Sequence, residues 1–469
     1  MRPIERLLAV VDGEVSARLD EGMRGRIDAG HALLLELIAA GAPIYGVTTG
    51  LGAAVDHAQG DAGFQQRIAA GRAVGVGRLA SRREVRAIMA ARLAGLALGR
   101  SGISLASALA LGDFLDHGIH PEVPLLGSLG ASDLAPLAHV TLALQGQGWV
   151  EYHGERLLAA EALQRAGLTP LVPRDKDGLA LVSANSASIG LGALLVSETQ
   201  RLLDRQRGVL ALSCEGYRAG VAPFQAAHLR PAPGLVEESK ALLALLEGGE
   251  RQARRLQDPL SFRCSTVVLG AVRDALARAR DIVVIELQSG ADNPALVVES
   301  REVLVTANFD STHLALAFEG LGLALSRLAV ASAERMAKLL SPGSSELPHS
   351  LSPRPGSVGL AALQRTAAAL VAEIVHLANP LPALSVPVAD RVEDYAGQGL
   401  AVVEKTARLV QRVEWLVRIE AVVAAQAVDL REGITLGSEA AGIYRQVRRV
   451  VAFVEEDRAI DVTGEFWGR

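Results

Sequence analysis

The sequence is poor in several features that would point to other functions. Only two of its 469 residues are cysteine, Cys214 and Cys264, too few for a disulfide framework or a four-thiolate zinc site. Aromatic residues are sparse (Phe 8, Tyr 5, Trp 3), leaving little for base-stacking platforms or strand-rich cores. Basic residues are not in excess: 47 Lys and Arg stand against 52 Asp and Glu, a net charge of −5, which argues against nucleic acid as a partner. No window of 18 or more residues runs apolar without charge. The richest, 314–333, is interrupted by Glu319 and Arg327, so no membrane span is expected. The first fifteen residues carry charges through their apolar stretch and lack a small-residue cleavage site, so no signal peptide and a cytoplasmic location are expected. HExxH, GxSxG, the P-loop pattern and CxxC are missing. The ten histidines are scattered. The nearest to a ligand pair, His117 and His120, read as part of a helix-terminal turn, and no metal site is expected.

What the chain does have is apolar bulk. Half of its residues are hydrophobic and 21% are charged, enough for a sizeable core and too little polarity for disorder. Segments 314–340, 357–379 and 397–431 keep a helical period of apolar positions, and helices this long bury their stripes against each other. Strand signals are few: IVVIEL (282–287) and the ALVV and EVLV stretches flanking Glu299–Arg301. The Pro/Ser/Gly-rich stretch 341–357 reads as a loop. The first 200 residues hold shorter helices and Gly-rich connections, and the charged run LEGGERQARRLQDP (246–259) follows a shift in composition. The expected architecture is mainly α, with an N-terminal mixed, loop-rich active-site domain (1–205) and a long-helix bundle domain (206–469).

One loop stands out, GSLGASDLAPLAH (127–139). Gly127, Gly130 and the small Ala131 and Ser132 permit backbone conformations that a larger residue would block, and Asp133 stands where the cap of a following helix belongs. Taken alone, this is an ordinary glycine turn into a capped helix. It also resembles the signature loop of the histidine and aromatic amino-acid ammonia-lyases. The resemblance runs over most of the chain, through IYGVTTGLGA (44–53), DGLALVSAN (177–185), QDPLSFRC (257–264), LGAVRDALARAR (269–280), SGADNPAL (289–296), ANFDSTHLALAF (307–318) and VEDYAGQG (392–399). It implies a mostly helical fold, a homotetramer and active sites built from several subunits.

In that family an Ala-Ser-Gly triplet cyclises into a methylidene-imidazolone, an electrophile that captures the amine of an amino-acid substrate. Here the triplet reads Ala131-Ser132-Asp133, and the chain departs from the pattern at other places around it. Ser183 stands for the supporting asparagine, Leu260 for a tyrosine, and Ser265-Thr266-Val267 for Gln-Pro-Gln. Formation of the group is therefore disfavoured, and no cofactor is expected. The rest of the resemblance implies an acid/base set. Tyr45 matches the tyrosine that removes the β-proton, Arg263 the arginine that clamps the substrate carboxylate, and Glu393 the glutamate near the amine. Asn185 and Asn308 are candidate polar partners, Asp310 is a candidate to help Glu393 offset a cationic leaving group, and Arg72 falls where relatives place a ring-recognising histidine. Four of them have an ordinary reading taken singly: Tyr45 as a buried aromatic with a satisfied hydroxyl, Arg263 as a structural ion pair, Glu393 as a solvated helix start and Arg72 as a surface arginine.

With base and clamp retained and the electrophile lost, elimination needs a leaving group that is already activated. A trimethylammonium qualifies, since it departs as a neutral amine. The reading this favours resembles ergothionase, a relative that eliminates trimethylamine from ergothioneine without the imidazolone, with Arg72 facing the far end of the substrate. Two alternatives remain: an orthodox imidazolone-dependent ammonia-lyase or aminomutase on histidine or another aromatic amino acid, and a catalytically silent paralogue acting as a scaffold.

Overall fold

In a computed structural model the described residues are 2–59, 61, 63–249, 253–381 and 386–467; residues 250–252 of the charged run lie outside them. The chain is mainly helical. Its longest helices are Ser186–Tyr217, Ser265–Leu287, Thr312–Leu340 and Gly399–Asp429. The last two contain or nearly coincide with segments of strong apolar periodicity, 314–340 and 397–431, and the helix Ala361–Leu377 falls inside 357–379.

The IVVIEL segment is a correction. It is the last part of the helix Ser265–Leu287 and not a strand. Ile282, Val283 and Leu287 are buried there while Ile285 is exposed, so helical burial overrides the strand preference of β-branched residues. The neighbouring strand signals do form a hairpin, Ala295–Val297 paired antiparallel with Glu302–Leu304. Stretch 341–357 holds only the short turns Pro342–Ser345 and His349–Leu351.

The chain separates into two compact units, each assembled from distant segments. The first comprises Met1–Val196, Ala279–Ala317 and Leu381–Glu404, and the second Ser197–Arg278, Phe318–Pro380 and Lys405–Arg469. The first carries the small sheets: Val76–Leu79 with Pro124–Leu126, a three-stranded sheet of Ile119–Pro121, Trp149–Tyr152 and Glu155–Leu158, and the 295–304 hairpin. The turn between Trp149–Tyr152 and Glu155–Leu158 has His153 and Gly154 both at positive φ, the geometry that suits the twist of a two-residue hairpin. Some of its helices carry side-chain N-caps. Asp20 accepts from Met23 N ahead of Glu21–Ala39, and Ser81 and Glu84 form a capping box at the start of Arg82–Leu96.

The second unit is organised around the buried carboxylate of Glu420. It accepts from Arg335, from the hydroxyls of Ser213 and Ser332 and from the Gln206 amide, at 2.6–3.0 Å. Burial opposes its charge, but Arg335, Ser332 and Gln206 together hold it below the usual carboxylate range.

Candidate active site

The loop 127–133 of the first unit is held by backbone and small side chains. Leu129 O accepts from Gln398 N at 2.9 Å, and Gly130 O accepts from both the amide and the hydroxyl of Ser311, at 3.2 and 2.8 Å. Gly130 has φ +84, and a Cβ there would sit 2.4 Å from Ser311 Oγ and 2.6 Å from Gln398 N, so only glycine lets the three segments close together. Ala131 pairs with Asp310 across an isolated antiparallel bridge, and Ser132 N donates to Phe309 O at 3.3 Å. Ser132 has φ +67, in the left-handed region that a non-glycine residue enters only under constraint.

Asp133 precedes the helix Leu134–Leu144 but does not cap it, which corrects the sequence expectation. Its carboxylate turns the other way. Ser128 Oγ donates to it at 2.7 Å, Ser188 N at 2.7 Å, and Ser188 Oγ at 2.9 and 3.0 Å. The residue is fully buried, which pushes its carboxyl up, while the Ser128 and Ser188 donors pull it down. Its amide nitrogen donates to Ala184 O at 2.8 Å. Beside it, Ser132 Oγ and Ser183 Oγ stand 3.5 Å apart, and the buried Asn185 donates to Phe309 O at 2.7 Å.

Three further candidates share electrostatic surroundings in the same unit. Tyr45 Oη accepts from Gly52 N at 2.8 Å. Gly52 lies against Ala389, in the turn whose ends, Val388 and Glu393, exchange backbone hydrogen bonds at 3.0 and 3.3 Å. Arg72 is half-buried and donates to Ile68 O at 3.2 Å. Burial lowers its guanidinium from the ordinary value, and the Tyr45 and Glu393 side chains counter that by favouring its charge. Tyr45, Arg72 and Glu393 are thus brought into one electrostatic neighbourhood, though they lie far apart in sequence.

Arg263 belongs to the second unit. It ends the short helix Leu260–Arg263 and donates to Gln257 Oε1 at 2.6 Å. Asn308 is exposed and donates to Gly290 O at 3.2 Å.

Two residues near the loop escaped the sequence reading. Glu286 lies in the last turn of Ser265–Leu287, inside the stretch that read as a strand. Burial, with the like charge of Asp310 second, pushes its carboxyl up to about 7. Tyr395 shares a motif with Glu393, and its hydroxyl is 2.6 Å from Thr312 Oγ1. The available signals were an acid at a helix end and one of only five tyrosines in the chain.

Comparison with known proteins gives a consistent result. The family described as aromatic amino acid lyase matches residues 3–449. A histidine ammonia-lyase of Chloroflexus aurantiacus is 37% identical, covering 97% of this chain and 91% of its own length. Among solved structures, ergothionase from Treponema denticola, crystallised with desmethyl-ergothioneine sulfonic acid, superposes with a TM-score of 0.93 at 30% identity, covering 97% of this chain and 94% of its own. Phenylalanine aminomutase from Pantoea agglomerans superposes with a TM-score of 0.94 at 27% identity, over 97% and 94% of the two chains.

Proposed function

The chain belongs to the aromatic amino acid lyase family and is a carbon–nitrogen lyase, and from that premise we propose that it eliminates trimethylamine from a histidine-type betaine, ergothioneine, without a built-in electrophile. The observation that carries this reading is the commitment of Asp133. Cyclisation would require its amide nitrogen to leave Ala184 O and reach the Ala131 carbonyl, while its carboxylate is tied to Ser128 and Ser188. A glycine would have neither a side-chain anchor nor a Cβ to move. Ser183, in the place of the supporting asparagine, offers a hydroxyl where an amide would be needed. These residues do not fit the imidazolone.

In this reading Tyr45 removes the β-proton. The Gly52 N–H and the Arg72 charge both stabilise negative charge developing on the phenolic oxygen. Arg263 holds the substrate carboxylate in a two-point clamp and so stabilises the enediolate that forms as the proton leaves. Electrons from the broken C–H bond form the double bond, and the C–N bond breaks with its pair on nitrogen. A quaternary nitrogen leaves as neutral trimethylamine, so nothing has to capture it. Arg72, which shares its electrostatic surroundings with Tyr45 and Glu393, also faces the thione end of the ring, and Glu393 offsets the cation. Ser183, Asn185 and Asn308 supply polar contacts. The reading includes a cytoplasmic homotetramer whose active sites draw on several subunits.

The test is product identity. Purified protein is incubated separately with ergothioneine, histidine, phenylalanine and tyrosine. Trimethylamine released in step with an unsaturated imidazole acid from ergothioneine, and no ammonia from the free amino acids, is the expected result. The 37% identity to a histidine ammonia-lyase favours a second reading, deamination of histidine itself. Ammonia and urocanate from histidine would establish that reading instead.

A further inference from the structure

We propose that Glu286, Asp310 and Tyr395 form a subsite for the cationic nitrogen of the substrate, set against the Ala131–Asp133 loop. This deepens the elimination reading and rests on it.

The placement begins with segment 309–311, which crosses the loop: Phe309 O meets Ser132 N, Asp310 pairs with Ala131, and Ser311 binds Gly130 O. Asp310 Oδ1 accepts from Thr312 N at 3.0 Å, so the carboxylate occupies the start of the helix Thr312–Leu340 and offsets the positive pole there. Thr312 Oγ1 in turn meets Tyr395 Oη at 2.6 Å, which brings that ring beside Asp310. Tyr395 is 55% exposed, leaving its face open to a ligand. The C-terminal end of Ser265–Leu287 approaches from the other direction. Asn308 Nδ2 binds Gly290 O just beyond that helix, whose last turn carries Glu286 and whose carbonyl end is its negative pole.

An independent feature points to a ligand. Asn185 is 1% exposed, and its amide is anchored by Nδ2 on Phe309 O, one residue from Asp310. The Oδ1 of the same amide is buried and has no partner among the described residues. A buried acceptor left open usually indicates an absent group. Asn185 Oδ1, the two carboxyls and the aromatic face all attract positive charge. A quaternary ammonium, which has no N–H to donate, is held by charge and dipole: the carboxylates, the negative end of the open Asn185 amide and an aromatic face. In this chain, positions beside the signature loop therefore hold groups suited to a cation, next to a triplet ill suited to form an electrophile.

The experiment is calorimetric titration of the full-length protein with two probes: Nα-trimethylated histidine, and its uncharged isostere in which a tert-butyl group replaces trimethylammonium. The wild type is expected to bind the cation at least about tenfold more tightly. Glu286→Gln and Asp310→Asn, the latter still able to cap Thr312–Leu340, are each expected to cut that preference about fivefold or more and to leave affinity for the neutral probe unchanged. Tyr395→Phe keeps the ring and most of the preference, whereas Tyr395→Leu cuts it about threefold. Cation binding also drives Glu286 toward its ionised form, so the wild type releases a proton that the Glu286→Gln variant does not, seen as a buffer-dependent binding enthalpy. A purely structural Glu286 would give no such difference. A preference for the cation that survives in both carboxyl variants would overturn the subsite and leave the elimination reading intact. A wild type that binds neither probe would overturn both.

Discussion

Among the carboxylates the second unit buries, Glu420 is surrounded by five donated bonds from four residues. Around its signature loop the first unit leaves its charged groups less completely matched. Arg72 shares the fields of Tyr45 and Glu393 without an ion pair among the described hydrogen bonds, and Glu286 faces another acid. Asn185, anchored one residue from Asp310, has an open oxygen. The difference separates two uses of buried polarity. A network built on an ion pair and donated hydrogen bonds fixes packing and offers a ligand no unmet charge. An incompletely satisfied one costs stability and retains the capacity to bind or to move a proton.

Substitutions on the two sides should therefore behave differently. The largest effect is expected at Tyr45. Tyr45→Phe should lower kcat by about 10²–10⁴-fold, the usual contribution of a general base, with a thermal unfolding curve close to wild type. Comparable loss of folding would move Tyr45 into the structural class. Next comes Arg335→Met, which leaves Glu420 buried with hydroxyls and an amide but no counter-charge. A loss of about 3–5 kcal/mol in denaturant unfolding is expected. A loss below about 1 kcal/mol would erase the contrast between the units.

Glu286 gives a signed pH effect. Its carboxyl is harder to ionise in the folded chain, about 7 against 4.5, so between those values the folded state holds more protons than the unfolded state. Stability from this group is complete below about 4.5 and is lost as pH rises through about 7, a loss of about 2 kcal/mol after allowance for its partial exposure. Unfolding of Glu286→Gln measured across this range should lack that slope. The smallest effect is expected for Ser188→Ala, which removes hydroxyl bonds to Asp133 but keeps the backbone one, for about 1 kcal/mol.

Long-range periodicity made the helical architecture legible, and the resemblance placed Tyr45, Arg72, Glu393 and the loop on recognisable motifs. Other features were hidden for physical reasons. IVVIEL has strand propensity, and only its burial within Ser265–Leu287 reveals it as helix, so Glu286 was lost with it. Asp133 is at a cap position by sequence, but the competing donors come from Ser128 and from Ser188, 55 residues away. The pairing of Glu286 with Asp310 and of Tyr395 with Thr312 depends on tertiary contacts, which no local pattern encodes.

The central claim is that elimination proceeds with a committed, open-chain Asp133 where an electrophile would otherwise be built. Intact-protein mass spectrometry on a preparation that releases trimethylamine from ergothioneine tests it most directly. The account predicts the mass of the unmodified sequence, with no water lost. A mass lower by two waters, with the loss mapping to a peptide containing Ala131-Ser132-Asp133, would contradict it.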